Sequence, residues 1–185
     1  MSDEKPLGFL TLNPTASDDG YLGAILILDS TGCPKEFRAT YPVKPTLIQR
    51  TLYGNALERY IGVELCAKPL LKNISHTIQL LVVNQEFLLD VRMNVDFPVV
   101  LIRKVGEAIE VSSTENTEIG RKIRIDSTSG RFQPVQISTF RDSSDELDQV
   151  KPLVEKLYSD IDLLEPFERI ERALKALATQ DKRFQ

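Results

Sequence analysis

The stretch YLGAILIL (Tyr21–Leu28), followed by Asp29-Ser30-Thr31-Gly32 and then EFRATY (Glu36–Tyr41), decides the fold. Its first arm is almost continuously apolar, the pattern of a strand covered on both faces. The second alternates, sending Phe37, Ala39 and Tyr41 one way and Glu36, Arg38 and Thr40 the other, which predicts a strand with one wet face. Between them Gly32 supplies the positive-φ position that a tight hairpin needs. Upstream, Leu7–Leu12 reads as a further strand, ended by Pro14 and the polar run Thr15 to Gly20.

Downstream, Pro42 and Pro45 precede Thr46-Leu47-Ile48-Gln49. In this capping box Thr46 caps the third amide while Gln49 reaches back to the amide of the cap. A helix therefore starts here. Ile48, Leu52, Ala56 and Tyr60, with Leu57, Ile61 and Leu65 beside them, form an apolar stripe expected to pack on the sheet, and Pro69 is expected to stop the helix near Cys66 to Lys68. His76–Val83 and Phe97–Arg103 read as buried strands, with a helical turn at Glu86 to Asp90 between them, and Glu107–Ser113 reads as an exposed strand. A second hairpin joins Arg121–Ile125 to Phe132–Phe140 through Asp126 to Gly130. Ser143 and Glu146 repeat the capping-box spacing before a helix bearing Leu147, Val150, Leu153, Val154 and Leu157, and a last helix starts at Pro166. This order predicts an α+β protein: an antiparallel or mixed sheet of hairpins, one long central helix and a C-terminal helical pair. The shift from β-branched runs to a Leu, Glu, Asp and Lys pattern divides the chain into a sheet domain, 1–140, and a helical segment, 141–185.

Composition removes several function classes. The chain has 185 residues, 42% hydrophobic and 27% charged, a globular balance rather than a disordered one. Its net charge of −4, mostly carried from Arg141 onward, disfavours a general nucleic-acid binder, although nucleic acid stays a possible partner. Cys33, Cys66 and the single His76 are too few and too scattered for a zinc set, so no metal ligands are expected. No basic leader or membrane-length apolar run is visible, and a cytoplasmic location without membrane contact is expected.

Motifs for chemistry are sparse. Gly20, Gly23 and Gly32 lack phosphate-loop or dinucleotide spacing, so no cofactor is expected. Arg121, Lys122, Arg124 and Arg131 put cations on the second hairpin, where alternation splits them between two faces and edge protection accounts for them. Arg38, Lys44, Arg50 and Tyr53, around the end of the first hairpin and the start of the long helix, are candidate contacts for an anionic ligand or acidic partner.

Three strands, a helix and another strand is an order that resembles the opening of the ribonuclease H-like nuclease fold. That resemblance implies carboxylates on the first strand, the helix and the fourth strand, holding two Mg²⁺ ions about 3.5 to 4 Å apart. Leu7–Leu12 carries no acid, the helix offers Glu58 or Glu64, and the fourth strand ends in Asn84 with Glu86 and Asp90 beyond it. Asp18, Asp19 and Asp29, near the first hairpin, read as turn formers. With no catalytic residues identified, an enzyme is the less expected class. The first expectation is a non-catalytic interaction module or accessory subunit of a larger assembly, with Phe167, Ile170, Leu174 and Leu177 of the last helix turned outward toward a protein partner or a second copy. The alternative is a degenerate ribonuclease H-like, metal-dependent nuclease or nucleic-acid-processing protein.

Overall fold

The computed structural model of the chain describes residues 5–106 and 119–184. The expected strand at Glu107–Ser113 lies outside them. Among the described residues, β1 (Leu7–Pro14), β2 (Tyr21–Leu28), β3 (Pro34–Ala39), β4 (Leu80–Val83), β5 (Val99–Lys104), β6 (Ile119–Ile125) and β7 (Val135–Phe140) form one seven-stranded mixed sheet in the order β3-β2-β1-β4-β5-β7-β6. The first hairpin forms as its sequence dictates. Gly32 takes φ +81°, and Asp29 Oδ1 accepts hydrogen bonds from the Thr31 and Cys33 amides at 2.9 and 3.0 Å. β4 lies parallel to β1, with Leu7 opposite Leu80 and Leu10 opposite Val83, and β5 lies parallel to β4. β7 closes antiparallel on β5, and β6 on β7. The fold is α+β.

Strand alternation gives this sheet two apolar faces. Leu7, Phe9, Leu26, Leu80, Val82, Val100 and Ile102 share one core with α4 (Ser144–Asp160) and α5 (Glu165–Gln180). Leu10, Ile25, Ile27, Leu81, Val83, Val99 and Leu101 share the other with the long helix and with the 3-10 segment Glu86–Asn94. The helical tail therefore completes the molecule, and the outward-turned face expected on α5 is corrected. Ile170 and Leu174 are 0% and 5% exposed, Phe167 stands edge-on to Phe9 with centroids 5.8 Å apart, and Leu177 packs on the same core. The physical reason is that the long helix covers only one face of the sheet, leaving the other apolar face to be covered by the tail.

The long helix, 47–73, is interrupted. Thr46 and Gln49 form the expected box, Gln49 N donating to Thr46 Oγ1 at 3.2 Å and Thr46 N to Gln49 Oε1 at 2.8 Å. α1 (Leu47–Tyr53) ends at Gly54, whose φ of +50° turns the axis before a 3-10 turn, and α2 (Leu57–Tyr60) then passes into a π-helical stretch, Ile61–Ala67, and α3 (Lys68–Asn73). These breaks rephase the apolar stripe. Leu57, Ile61, Val63, Cys66, Ala67 and Leu70 are buried, whereas Leu47, Ile48 and Leu52 are 80%, 70% and 77% exposed. The expected stripe is thus corrected: α1 buries no residue. The helix also runs past Pro69, which stands in the first turn of α3, where a missing N–H costs little.

The second capping box does not form. Ser143 makes no side-chain cap, and Glu146 instead accepts two 2.9 Å hydrogen bonds from Arg92 Nε. Among the described residues, no helix is long and apolar enough to cross a membrane.

Candidate functional site

The chain leaves β1 toward β2 on one side of the sheet and leaves β4 toward β5 on the other. Near that divergence lie Leu12 and Asn13 of β1 and Asn84 and Gln85 after β4.

Three side chains there, those of Asn13, Asn84 and Gln85, are carboxamides. β4 stops pairing at Val83, leaving the Leu12 peptide without a strand partner on that side, and the Gln85 side chain takes over the ladder. Its Oε1 accepts from Leu12 N at 2.8 Å and its Nε2 donates to Leu12 O at 2.9 Å. Asn13 Nδ2 and Asn84 Oδ1, both buried atoms, have no hydrogen-bond partner among the described residues. Buried polar atoms are nearly always paired, so each of these two atoms is an exception at the end of its strand. Phe87 packs between the long helix and Leu12. A Cβ at Gly62 would come within 2.5 Å of the Phe87 ring, so only glycine allows this approach.

The acidic side chains expected to hold metal do not meet. Among the described residues no three of His, Cys, Asp and Glu gather where an ion could sit. Glu64 pairs with Lys68 at 2.6 Å, Glu86 with Arg103 at 2.6 Å and Asp90 with Arg59 at 2.5 Å. Hydrogen bonds from Ser17, then Lys44 and Thr15, hold the Asp19 carboxyl well below its usual range, while the Thr31 hydroxyl, then Lys35 and the Cys33 amide, do the same for Asp29. Neutral amides at β1 and β4 do not fit the two-metal arrangement that the fold resemblance implies, since such a site needs anionic oxygens to offset the cations.

The candidate anion contacts do not form one cluster. Lys44 and Arg50 both reach Asp19, by an ion pair at 3.0 Å and a hydrogen bond to its carbonyl at 2.7 Å. Arg38 lies on the outer strand against Glu36 and Ser75. Tyr53 faces Tyr60, ring centroids 4.9 Å apart, beside a separate cleft. Sequence reading singled out Asn84 only as the end of a strand and missed Asn13 and Gln85, because nothing local says that residues 12 and 85 meet.

No protein-family model and no curated protein sequence matches the chain. Among solved structures, that of Ciona intestinalis endonuclease V in complex with a 24mer DNA containing an inosine followed by a ribo-adenosine superposes with a TM-score of 0.50 at 12% identity, over 94% of this chain and 87% of that one. The chain has an endonuclease V-like fold. Endonuclease V from Bacillus subtilis gives a TM-score of 0.45 at 11% identity, over 84% of this chain and 70% of that one. The endonuclease V-like fold corrects the leading expectation of a non-catalytic interaction module or accessory subunit. Its main structural support, an outward α5 face, is spent on the core. The nuclease-like alternative is the better supported of the two.

Proposed function

We propose that the chain is a nucleic-acid-binding protein on an endonuclease V-like scaffold that recognises its target without cutting it, acting in the cytoplasm, in keeping with its two free thiols. The observation that carries this reading is the set of carboxamide side chains at the carboxyl ends of β1 and β4. Where the fold resemblance calls for metal-bound carboxylates, the ends of these two strands carry the neutral amides of Asn13, Asn84 and Gln85. Such groups can hydrogen-bond a base edge or a sugar hydroxyl but supply no charge to assemble a hydrolytic metal pair.

Electrostatics shape the expected binding. Many surface cations already hold carboxylates, as in Arg59–Asp90, Lys68–Glu64, Arg103–Glu86 and Arg124–Asp126, so few counterions are released when a phosphate arrives. The test is fluorescence anisotropy with labelled single- and double-stranded DNA and RNA, run in EDTA and then in Mg²⁺ or Mn²⁺, with the same strands resolved on denaturing gels. Binding that is independent of metal, weakens only modestly between roughly 50 and 200 mM salt and leaves the strands intact is expected. Absence of binding to every strand, or metal-dependent cleavage, overturns the reading.

A further inference from the structure

The two edges of the sheet are built differently. β6 presents Arg121, Lys122 and Arg124 and no carboxylate, and its ladder to β7 is bulged between Ile119 and Lys122. A second strand laid on it meets cations and an irregular backbone, the usual protection of an edge. β3 instead carries both signs within three residues, Glu36, Phe37 and Arg38. It pairs with β2 in unbroken register from Glu36 opposite Ile27 to Ala39 opposite Ala24, and just beyond, Thr40 N donates to Gly23 O at 2.9 Å. Antiparallel alternation therefore turns the N–H and C=O of Glu36 and Arg38 toward β2, and those of Phe37 and Ala39 outward. Among the described residues no strand lies beyond them. Pro34 and the bulge at Lys35 end the regular ladder, leaving residues 36–39 as the part of the edge able to pair again.

We infer that β3 pairs with β3 of a second copy of this chain, antiparallel about a two-fold axis through Phe37, so that two sheets become one. The outward N–H and C=O of Phe37 then meet those of the copy's Phe37, and the two rings, each resting on the core shared with α4 and α5, come together on one face. On the other face Arg38 stands opposite the copy's Glu36 and Glu36 opposite the copy's Arg38, a pairing of opposite charges made twice by symmetry. Sliding the copies to the next register in either direction sets Arg38 against Arg38 or Glu36 against Glu36, so charge fixes the register. Both groups have capacity to spare. The Arg38 side chain is 40% exposed, and its Nη1 has no partner among the described residues. Glu36 accepts from Arg38, Ser75 and His76, and a carboxylate has about four acceptor sites.

The full chain, free of nucleic acid, is followed by sedimentation equilibrium up to about 1 mM, since so short an interface binds weakly. Its mass is expected to rise from 20.9 kDa toward twice that value, and to rise less as salt is added, because the ion pairs lie near the surface. Amide hydrogen exchange at low and high concentration tests the register without a variant. The Phe37 amide is expected to slow about tenfold on association, while that of Arg38, already turned to β2, changes little. Arg38→Glu, which sets two carboxylates face to face across the axis, is expected to weaken association about tenfold or more. Ala39→Pro, which removes an N–H that β2 does not use and puts a ring on the outward side, is expected to do the same, and Arg124→Glu on the opposite edge leaves association unchanged. Circular dichroism checks that each variant is folded, and where one is not, the exchange rates decide. A mass of one chain throughout, a Phe37 amide that exchanges alike at both concentrations, or a folded Arg38→Glu protein that associates like wild type overturns the proposal. So does an association lost in Leu52→Asp but kept in Arg38→Glu, which would put the interface on the exposed side of α1.

Discussion

Glu36 shows how one side chain joins distant parts of the chain. It accepts from His76 Nδ1 at 2.8 Å, from Arg38 Nε at 2.5 Å and from the Ser75 amide at 2.9 Å, tying β3 to the segment that leads into β4. Burial works to raise its carboxyl, yet the His76, Arg38 and Ser75 hydrogen bonds outweigh it and hold the group down at about 2, from 4.5. A carboxyl depressed by folding stabilises the native state fully above its unfolded value, and that contribution fades as pH falls toward the folded value. The stability gap between wild type and Glu36→Gln is therefore expected to be widest above pH 5 and to shrink between about 4.5 and 2, as followed by urea unfolding across pH. A gap constant down to pH 2 would show that the carboxylate is not what holds this corner. Tyr158 makes a similar long link. Almost wholly buried, it donates to the Gln133 carbonyl at 2.5 Å, and burial, then Asp162, pushes its hydroxyl up to about 12.

At the scale of elements, the close seat of the long helix on β2 depends on Gly23. A Cβ built there overlaps Cys66 Cβ, and the neighbouring Cys66 thiol, pushed up by burial, also lies near Thr40. Gly23→Ala is expected to force the π-helical stretch off the sheet and to cost about 1 to 3 kcal/mol, read as a lowered urea midpoint. An unchanged midpoint would mean that the helix has slack at this contact. α1 behaves oppositely. Its capping box is well made, yet it buries nothing, so whatever Thr46 contributes is limited by the stability of one short exposed helix. Local capping chemistry was legible in the sequence there, but its consequence for the core was not. Gly54 and the π turn shift the helical phase, and a stripe counted at constant pitch then points to solvent.

For the whole molecule, the two helical layers divide the work of covering one sheet. Ending the chain after Leu164 deletes α5 and with it Ile170 and Leu174, exposing Phe9 and neighbouring apolar side chains of β1 and β2. Such a truncation is expected to lower Tm by about 10 °C or more and to promote aggregation seen by light scattering, because an apolar sheet face then meets water. A truncated chain that melts like the full one would place α5 outside the core after all.

The sequence by itself determined the elements whose signals are local. The runs at Leu7–Leu12 and Tyr21–Leu28, the Asp29 to Gly32 turn, the Thr46 box and the proline in the first turn of α5 are each written within a few neighbouring residues, since alternation, positive φ and capping are short-range demands. Together they were enough for the α+β class. Only the tertiary structure decided that β4 enters beside β1 and parallel to it, that α5 faces inward, and that the Gln85 side chain completes the ladder at Leu12. These depend on pairings between residues some seventy positions apart, as between Leu12 and Gln85, and no local pattern encodes which strand ends will be neighbours. A glutamine just past a strand looks like any loop residue until the fold sets an unpaired peptide beside it.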